Sequence, residues 1–263
     1  MHSLKIQDEN LCYWWGSSST LVFFALNFML RYLTPQSASE DVHQRWKWRN
    51  TANSLLHSTI SGIWSFLCVW QIPEMRQDLI SEYAYSAHAA LSVSAGYFTY
   101  DLIDMVLGHR KRSSYELMVH HILVILCFGL AISTRSLLGF CIFGLLVEVN
   151  SVFLHARQLM HLQNINRQNG LYRINSVLNV GTFVVFRLMT IGILCKWVFE
   201  LRHKLTTIAY IFGMTTLPTL FAMNAVLFLR VLNTDFLKRR SDTKLTQLLL
   251  HETEDWRDEH KND

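Results

Sequence analysis

Apolar residues along this chain fall into seven long blocks, at roughly 13–33, 53–72, 84–107, 115–133, 137–156, 173–198 and 206–232. Short polar connections separate them, with breakers such as Thr34-Pro35 and Ile72-Pro73. A bilayer core about 30 Å thick takes roughly 20 helical residues to cross, and every block meets that length. None shows a clean apolar and polar stripe of a soluble bundle, and period-two alternation is absent, so neither a soluble helical domain nor a β-barrel is expected. Pro218 lies inside the last block, where neighbouring helices can compensate its missing donor. The pattern predicts an all-α polytopic membrane protein with about seven transmembrane helices. The third and fifth blocks are the weakest of the spans, because each carries carboxylates or other polar groups. No internal repeat or low-complexity segment interrupts the pattern.

Composition narrows the class further. With 51% hydrophobic and 17% charged residues, the chain is too apolar to be disordered. A net charge of +4 on 24 basic and 20 acidic residues is too mild for binding nucleic acid by phosphate neutralisation. Five cysteines, odd in number and scattered through apolar runs, do not make a disulfide scaffold. Charge in the connections is more telling. Alternate connections (34–52, 108–114, 157–172 and the tail from 233) hold fourteen Lys and Arg, against five on the other side. Cytosolic loops carry the positive excess, so the N-terminus is expected outside or in the lumen and the C-terminus in the cytosol. The same bias argues against a cleaved signal peptide, which would place Arg45, Lys47 and Arg49 in the lumen. In the tail, Lys238-Arg239-Arg240 stands next to the membrane, followed by a short amphipathic stretch around Leu248 and an acidic end.

Ionisable groups in mid-membrane cost on the order of 2.5–3.5 kcal/mol each on insertion scales, so each one asks for a reason. The second block holds Asn53, His57, Ser58 and Ser61; the third holds His88, then Tyr97, Tyr100, Asp101 and Asp104. The fourth opens with Glu116 and the pair His120-His121. The fifth has Glu148, Asn150, Ser151 and His155; the sixth Asn175, Asn179 and Arg187; the seventh Asn224. With the expected topology nearly all of them fall in the cytosolic half, with His88 on the opposite side and Arg187 near the middle. Helix glue alone has no reason to collect at one depth. The expectation is a polar cavity inside the bundle, open toward the cytosolic leaflet. Spacing agrees: Glu148, Ser151 and His155 share one helix face, as do Tyr97, Asp101 and Asp104. Adjacent histidines point about 100° apart, so one of the pair is expected to face the cavity. Glu116, His120, Glu148 and His155 have the chemistry of metal ligands, but no H-E-x-x-H pattern exists and no metal site is expected. An imidazole acting as acid, base or nucleophile on a lipid carbonyl is the sharper alternative.

The run Tyr115-Glu116-Leu117-Met118-Val119-His120-His121 resembles the His-His segment of the TLC-domain family, which includes the ceramide synthases. Upstream, Ser94-Ala95-Gly96-Tyr97-Phe98-Thr99-Tyr100-Asp101 is similar to its glycine, aromatic and aspartate segment. Downstream, residues 145–154 around Glu148 resemble its acidic helix, and the stretch from His57 to Gln71 narrows the likeness to the subgroup of TLC domain-containing proteins 1 and 2. The resemblance covers about 45–235, which leaves 1–44 as a segment carrying an extra first helix and 236–263 as a charged cytosolic tail.

The resemblance implies six helices around a central cavity. In ceramide synthases the His pair belongs to an acyl-transfer site fed by acyl-CoA, and the acidic helix reads Asp-x-Ser-Asp. Here Glu148-Val149-Asn150-Ser151 stands in that place, with one carboxylate longer and the second missing. Ceramide-synthase-like N- or O-acylation would use His121 and His120 with Glu148 or Asp101 orienting the ring. Acyl-CoA would be the co-substrate, docked against Arg45, Lys47, Arg49, Arg110, Lys111 and Arg112. The subgroup likeness implies instead a non-enzymatic regulator of phospholipid acyl composition and membrane fluidity, one that restrains incorporation of polyunsaturated chains, with no cofactor and with the plasma membrane favoured over the endoplasmic reticulum. Its partners would be membrane phospholipids or fatty-acyl chains, held by Tyr97, Asp104, Ser151, His155, Asn179 and Arg187. The missing second carboxylate tilts the reading toward the regulator.

Overall fold

The computed structural model describes residues 2–38, 41–108 and 112–237, with the side chains of 2–13, 112–114 and 236–237 left aside. Arg110, Lys111 and the features predicted for the tail beyond 237 therefore lie outside the described residues. Among those that are described, every regular element is helical. The order is α1 (His2–Met29), α2 (Val42–Gln71), a short α3 (Glu74–Gln77), α4 (Tyr85–Gly108), α5 (Arg112–Thr134), α6 (Leu138–Leu145), α7 (Val147–Leu162), α8 (Gly170–Phe183), α9 (Thr190–Glu200) and α10 (Thr207–Leu232). Two π-helical stretches, Val184–Met189 and Asn233–Leu237, interrupt or extend the later helices.

Local chemistry sets the boundaries. α2 stops where Pro73 cannot continue the ladder. The Asn169 side chain caps α8 by accepting the Leu171 N–H at 2.9 Å. In the loop before α4, the Asp78 carboxylate accepts the Ser81 and Ile80 amides, and these bonds, Ser81 first, hold its pKa below the ordinary carboxylate value. The α5–α6 turn places Arg135 and Leu137 in the left-handed region and is tied to the loop by the Leu137 N–H on the Ile80 carbonyl, 2.7 Å.

Four helical segments are long and apolar enough to cross a membrane by length and composition: Tyr115–Thr134, Leu138–Leu162, Gly170–Glu200 and Thr207–Asp235. α1, α2 and α4, at 28, 30 and 24 residues, have the length but carry more polar side chains. Packing shows where those side chains go. Bonds from Ser19 to Val93, Thr20 to Gly96 and Asn27 to Asp104 keep a constant offset, so α1 and α4 run parallel. Trp64 with Ser86 and Asn53 with Tyr100 make α2 and α4 antiparallel. Asp101 with His121 makes α4 and α5 antiparallel, and Asn150 with Asn179 and Phe153 with Asn175 do the same for α7 and α8. Directions therefore alternate through α1, α2, α4 and α5, and again between α7 and α8. Their polar faces meet one another inside, while Ile60, Ile63, Phe66, Ile122 and Leu126 stay exposed, as a lipid-facing surface demands.

Two close approaches depend on glycine. A Cβ at Gly96 would sit 2.1 Å from the Gly16 carbonyl oxygen, so α1 and α4 touch through their backbones. A Cβ at Gly62 would lie 3.1 Å from the Val149 nitrogen, which draws α2 onto α7. The main apolar core, including Phe98, Phe128, Ile132, Leu138, Ile142 and Leu145, lies between α2, α4, α5 and α6.

Three sequence expectations need correction. Residues 42–52, read as a loop, form the first three turns of α2. The fifth block is two helices meeting at Leu146. The sixth is not one α-helix but α8, a π-helical segment and α9. By compactness the chain divides after Met223, within α10, and the second unit holds the end of that helix and Asn233–Leu237.

Candidate functional site

Most of the side chains predicted to share one depth lie buried in the first unit; Glu116 is exposed, and Asn224 falls in the second unit. Asp101 on α4 and His121 on α5 form an ion pair, Nε2 to Oδ2 at 3.0 Å, with both residues buried. The other ring nitrogen, Nδ1, stands 2.6 Å from the Leu117 carbonyl one turn back. A carbonyl only accepts, so Nδ1 carries a proton, and Nε2 shares another with the carboxylate. Both nitrogens of His121 are engaged. His120, half-buried, has its ring plane 84° from that of His121.

Asparagines complete the carboxylate side. The Asn50 amide bridges Asp101 and Asp104, donating to Oδ1 of the first and, at 3.0 Å, to Oδ2 of the second. Asn27 of α1 donates to Asp104 and to the Tyr100 hydroxyl, which also takes a bond from Asn53 at 2.7 Å. One turn deeper, the Tyr97 hydroxyl donates to Ser54 at 2.9 Å. Each bond joins two helices, so polar groups that are expensive in hydrocarbon satisfy one another.

A second cluster lies on α7 and the π-helical segment. Arg187 donates to the Ser151 hydroxyl at 2.8 Å. Glu148 bonds to Ser151 and has Arg187 as its leading opposite charge, with His121 and Asp101 also in electrostatic range. The π-helical turn carries an extra residue per loop, marked by the Thr190 hydroxyl reaching Val185 at i−5, and so re-aims Arg187. Arg187, expected near mid-membrane, thus joins the level of Ser151. Asn150 donates to the Asn179 carbonyl and side chain and to Thr182, locking α7 to α8. His155 lies within electrostatic range of His57, Arg187 and His121.

All ten predicted site residues therefore belong to one polar core, and His88, bonded to Tyr83 near the other end of α4, stands apart. Of the residues with metal-ligand chemistry, Glu116 is exposed, away from the buried Glu148.

The family model described as TLC domain matches residues 47–233, a span that contains the dyad, the Glu148 helix and Arg187. The chain belongs to the TLC-domain family. It is 41% identical to TLC domain-containing protein 2 of Danio rerio over 87% of this chain and 92% of that protein. It is 34% identical to TLC domain-containing protein 1 of Homo sapiens, covering 83% and 87%, and 32% identical to human TLC domain-containing protein 2, covering 86% and 84%. As in its relatives, the TLC domain makes this a polytopic membrane protein of the kind tied to lipid metabolism.

Within the TLC domain, sequence reasoning missed Asn50, and in the helix before it Asn27. A lone asparagine in an apolar block is the signal for Asn27. Asn50 lay in a segment polar enough to pass for a loop. His57 was legible as a polar residue, but nothing in the sequence ranked it above its neighbours.

Proposed function

We propose that this TLC-domain protein regulates phospholipid acyl-chain composition and membrane fluidity, restraining polyunsaturated chains, by holding acyl lipids at its polar core rather than by chemistry. The observation that carries this reading is the engagement of both His121 nitrogens. A nucleophile or general base needs a lone pair directed at its substrate, and His121 directs one nitrogen at Asp101 and the other at a backbone carbonyl. The replacement of the second carboxylate by Ser151, which here receives Arg187, points the same way. The core faces the cytosolic leaflet of the plasma membrane in this reading, as the positive-inside bias suggests. Phospholipids or fatty-acyl chains are the partners.

The Asp101–His121 pair also favours a second reading, an acyl-CoA-dependent acyltransferase. Asp101 would then have to leave Nε2 before His121 acted, and acyl-CoA would dock on Arg45, Lys47 and Arg49 at the start of α2. Lipid profiles test the first reading. In cells lacking their own TLC domain-containing proteins 1 and 2, His121→Ala and Glu148→Ala should rescue phospholipid acyl composition less than His88→Ala at equal expression. Equal rescue by all three would reduce the polar core to helix packing.

A further inference from the structure

His57 is 1% exposed, yet neither of its ring nitrogens meets a hydrogen-bond partner among the described residues. Its ring lies flat on Tyr97, centroids 3.8 Å apart and 9° from parallel, with Phe98 at 5.2 Å and Phe23 at 6.1 Å edge-on. A phenylalanine would fill this aromatic box as well. A neutral imidazole instead keeps one N–H and one lone pair there, and each buried group left unpaired costs about 1–3 kcal/mol. Packing gives no reason for that expense.

The surroundings repeat the pattern. Among the described residues, Asn53 Oδ1, one turn before His57, has no partner, nor has Ser94 Oγ on the facing helix α4. On α7, which packs against α2 at Gly62, His155 Nδ1 has none either among the described residues. Three helices, α2, α4 and α7, thus carry buried polar atoms without a partner among the described residues. The formal charges nearby are already answered: Asp101 by His121, Glu148 by Arg187, Asp104 by the Asn50 amide and the nearby Arg49. A phosphate or carboxylate would bring further negative charge to a core that already holds Asp101 and Glu148 buried. An uncharged oxygen function finds a donor in an apolar box.

We infer that His57, with His155 opposite, binds the carbonyl end of an acyl chain, as a phospholipid ester or an un-ionised fatty acid. This rests on the lipid-binding reading above and adds to it the residue and the chemical group recognised. His57 donates its N–H to the acyl oxygen, the rings of Phe23, Tyr97 and Phe98 enclose the first carbons, and His121 holds the helices without touching the lipid.

The test uses purified full-length protein and three radiolabelled probes: oleic acid, dioleoyl-phosphatidylcholine and the hydrocarbon heptadec-8-ene. The wild type should bind at least one carbonyl probe about tenfold more tightly than the hydrocarbon, the worth of one buried hydrogen bond. Which carbonyl probe wins separates free acid from phospholipid ester. His57→Phe, which keeps the stacking, should abolish the preference and leave hydrocarbon binding unchanged, and His57→Gln should restore part of it. An unchanged preference in His57→Phe overturns the assignment while the lipid-binding reading stands. Failure of the wild type to bind any probe overturns both. A fourth probe needs no variant: a fatty acid with a diazirine beside its carbonyl should photolabel residues 54–61 or 94–98 of the wild type. Labelling confined elsewhere contradicts the assignment.

Discussion

Two buried imidazoles of the same polar core, His121 and His57, have opposite surroundings. At the α4–α5 contact, His121 spends both nitrogens on Asp101 and Leu117, and the same carboxylate is tied by Asn50 to Asp104. On α2, facing α4 and α1, His57 spends neither on any partner among the described residues and sits among aromatic rings. The first region reads as architecture, because saturated polar groups hold helices in place and have little left to offer a ligand. The second has the opposite character: polar capacity maintained where packing gains nothing from it. The most conspicuous motif of a family need not mark the point where a ligand is bound.

The comparison breaks most visibly at Asp101. Asp101→Ala leaves His121 buried beside a missing partner and strands the Asn50 amide, so a loss of about 3–5 kcal/mol is expected. Thermal unfolding in detergent should show that variant as the least stable of the series, and a melting profile like the wild type would deny the dyad its structural role. Ser151→Ala removes the acceptor for Arg187 and should cost less, about 1.5–3 kcal/mol, the range for a hydrogen bond to a charged group. His57→Phe keeps ring volume and stacking, so its stability should stay within about 1.5 kcal/mol of wild type. Its rescue of phospholipid composition should nevertheless fall to the level of His121→Ala. If His57→Phe destabilised as much as Asp101→Ala, the distinction between the two regions would collapse. The smallest perturbation is an epitope tag at each end: selective permeabilisation should expose the C-terminal tag to the cytosol and the N-terminal tag to the outside. Both tags in the cytosol would undo the alternation of directions on which the shared depth rests.

Much of this was legible in the order of residues. Apolar runs long enough to span a bilayer announced the helices, and carboxylates and histidines placed at matching ends of those runs announced the polar core. Asp101, His121, Glu148, Ser151 and Arg187 were all recoverable that way, because each is an expensive residue in an apolar block. What stayed hidden has physical causes. The break at Leu146 and the π-helical turn around Arg187 lie inside uniformly apolar runs, where hydropathy is blind to backbone geometry. The parallel contact of α1 with α4 runs through Gly16, Ser19, Thr20 and Gly96, small residues that look like filler until another backbone approaches. Asn50 was lost because three polar turns at the start of α2 resemble a loop when only hydropathy is weighed. The idle nitrogens of His57 could not be foreseen, since a missing partner is visible only once all the neighbours are in place.

Whether His121 is architecture or catalyst is decided most directly with purified full-length protein, labelled acyl-CoA, and sphingoid bases and lysophospholipids as acceptors. The account predicts no acylated product above background from the wild type, and the same result from His121→Gln. A product that forms with the wild type and disappears with His121→Gln, by the roughly 10²- to 10⁴-fold that loss of general-base catalysis brings, would contradict it and make the Asp101–His121 pair an active site.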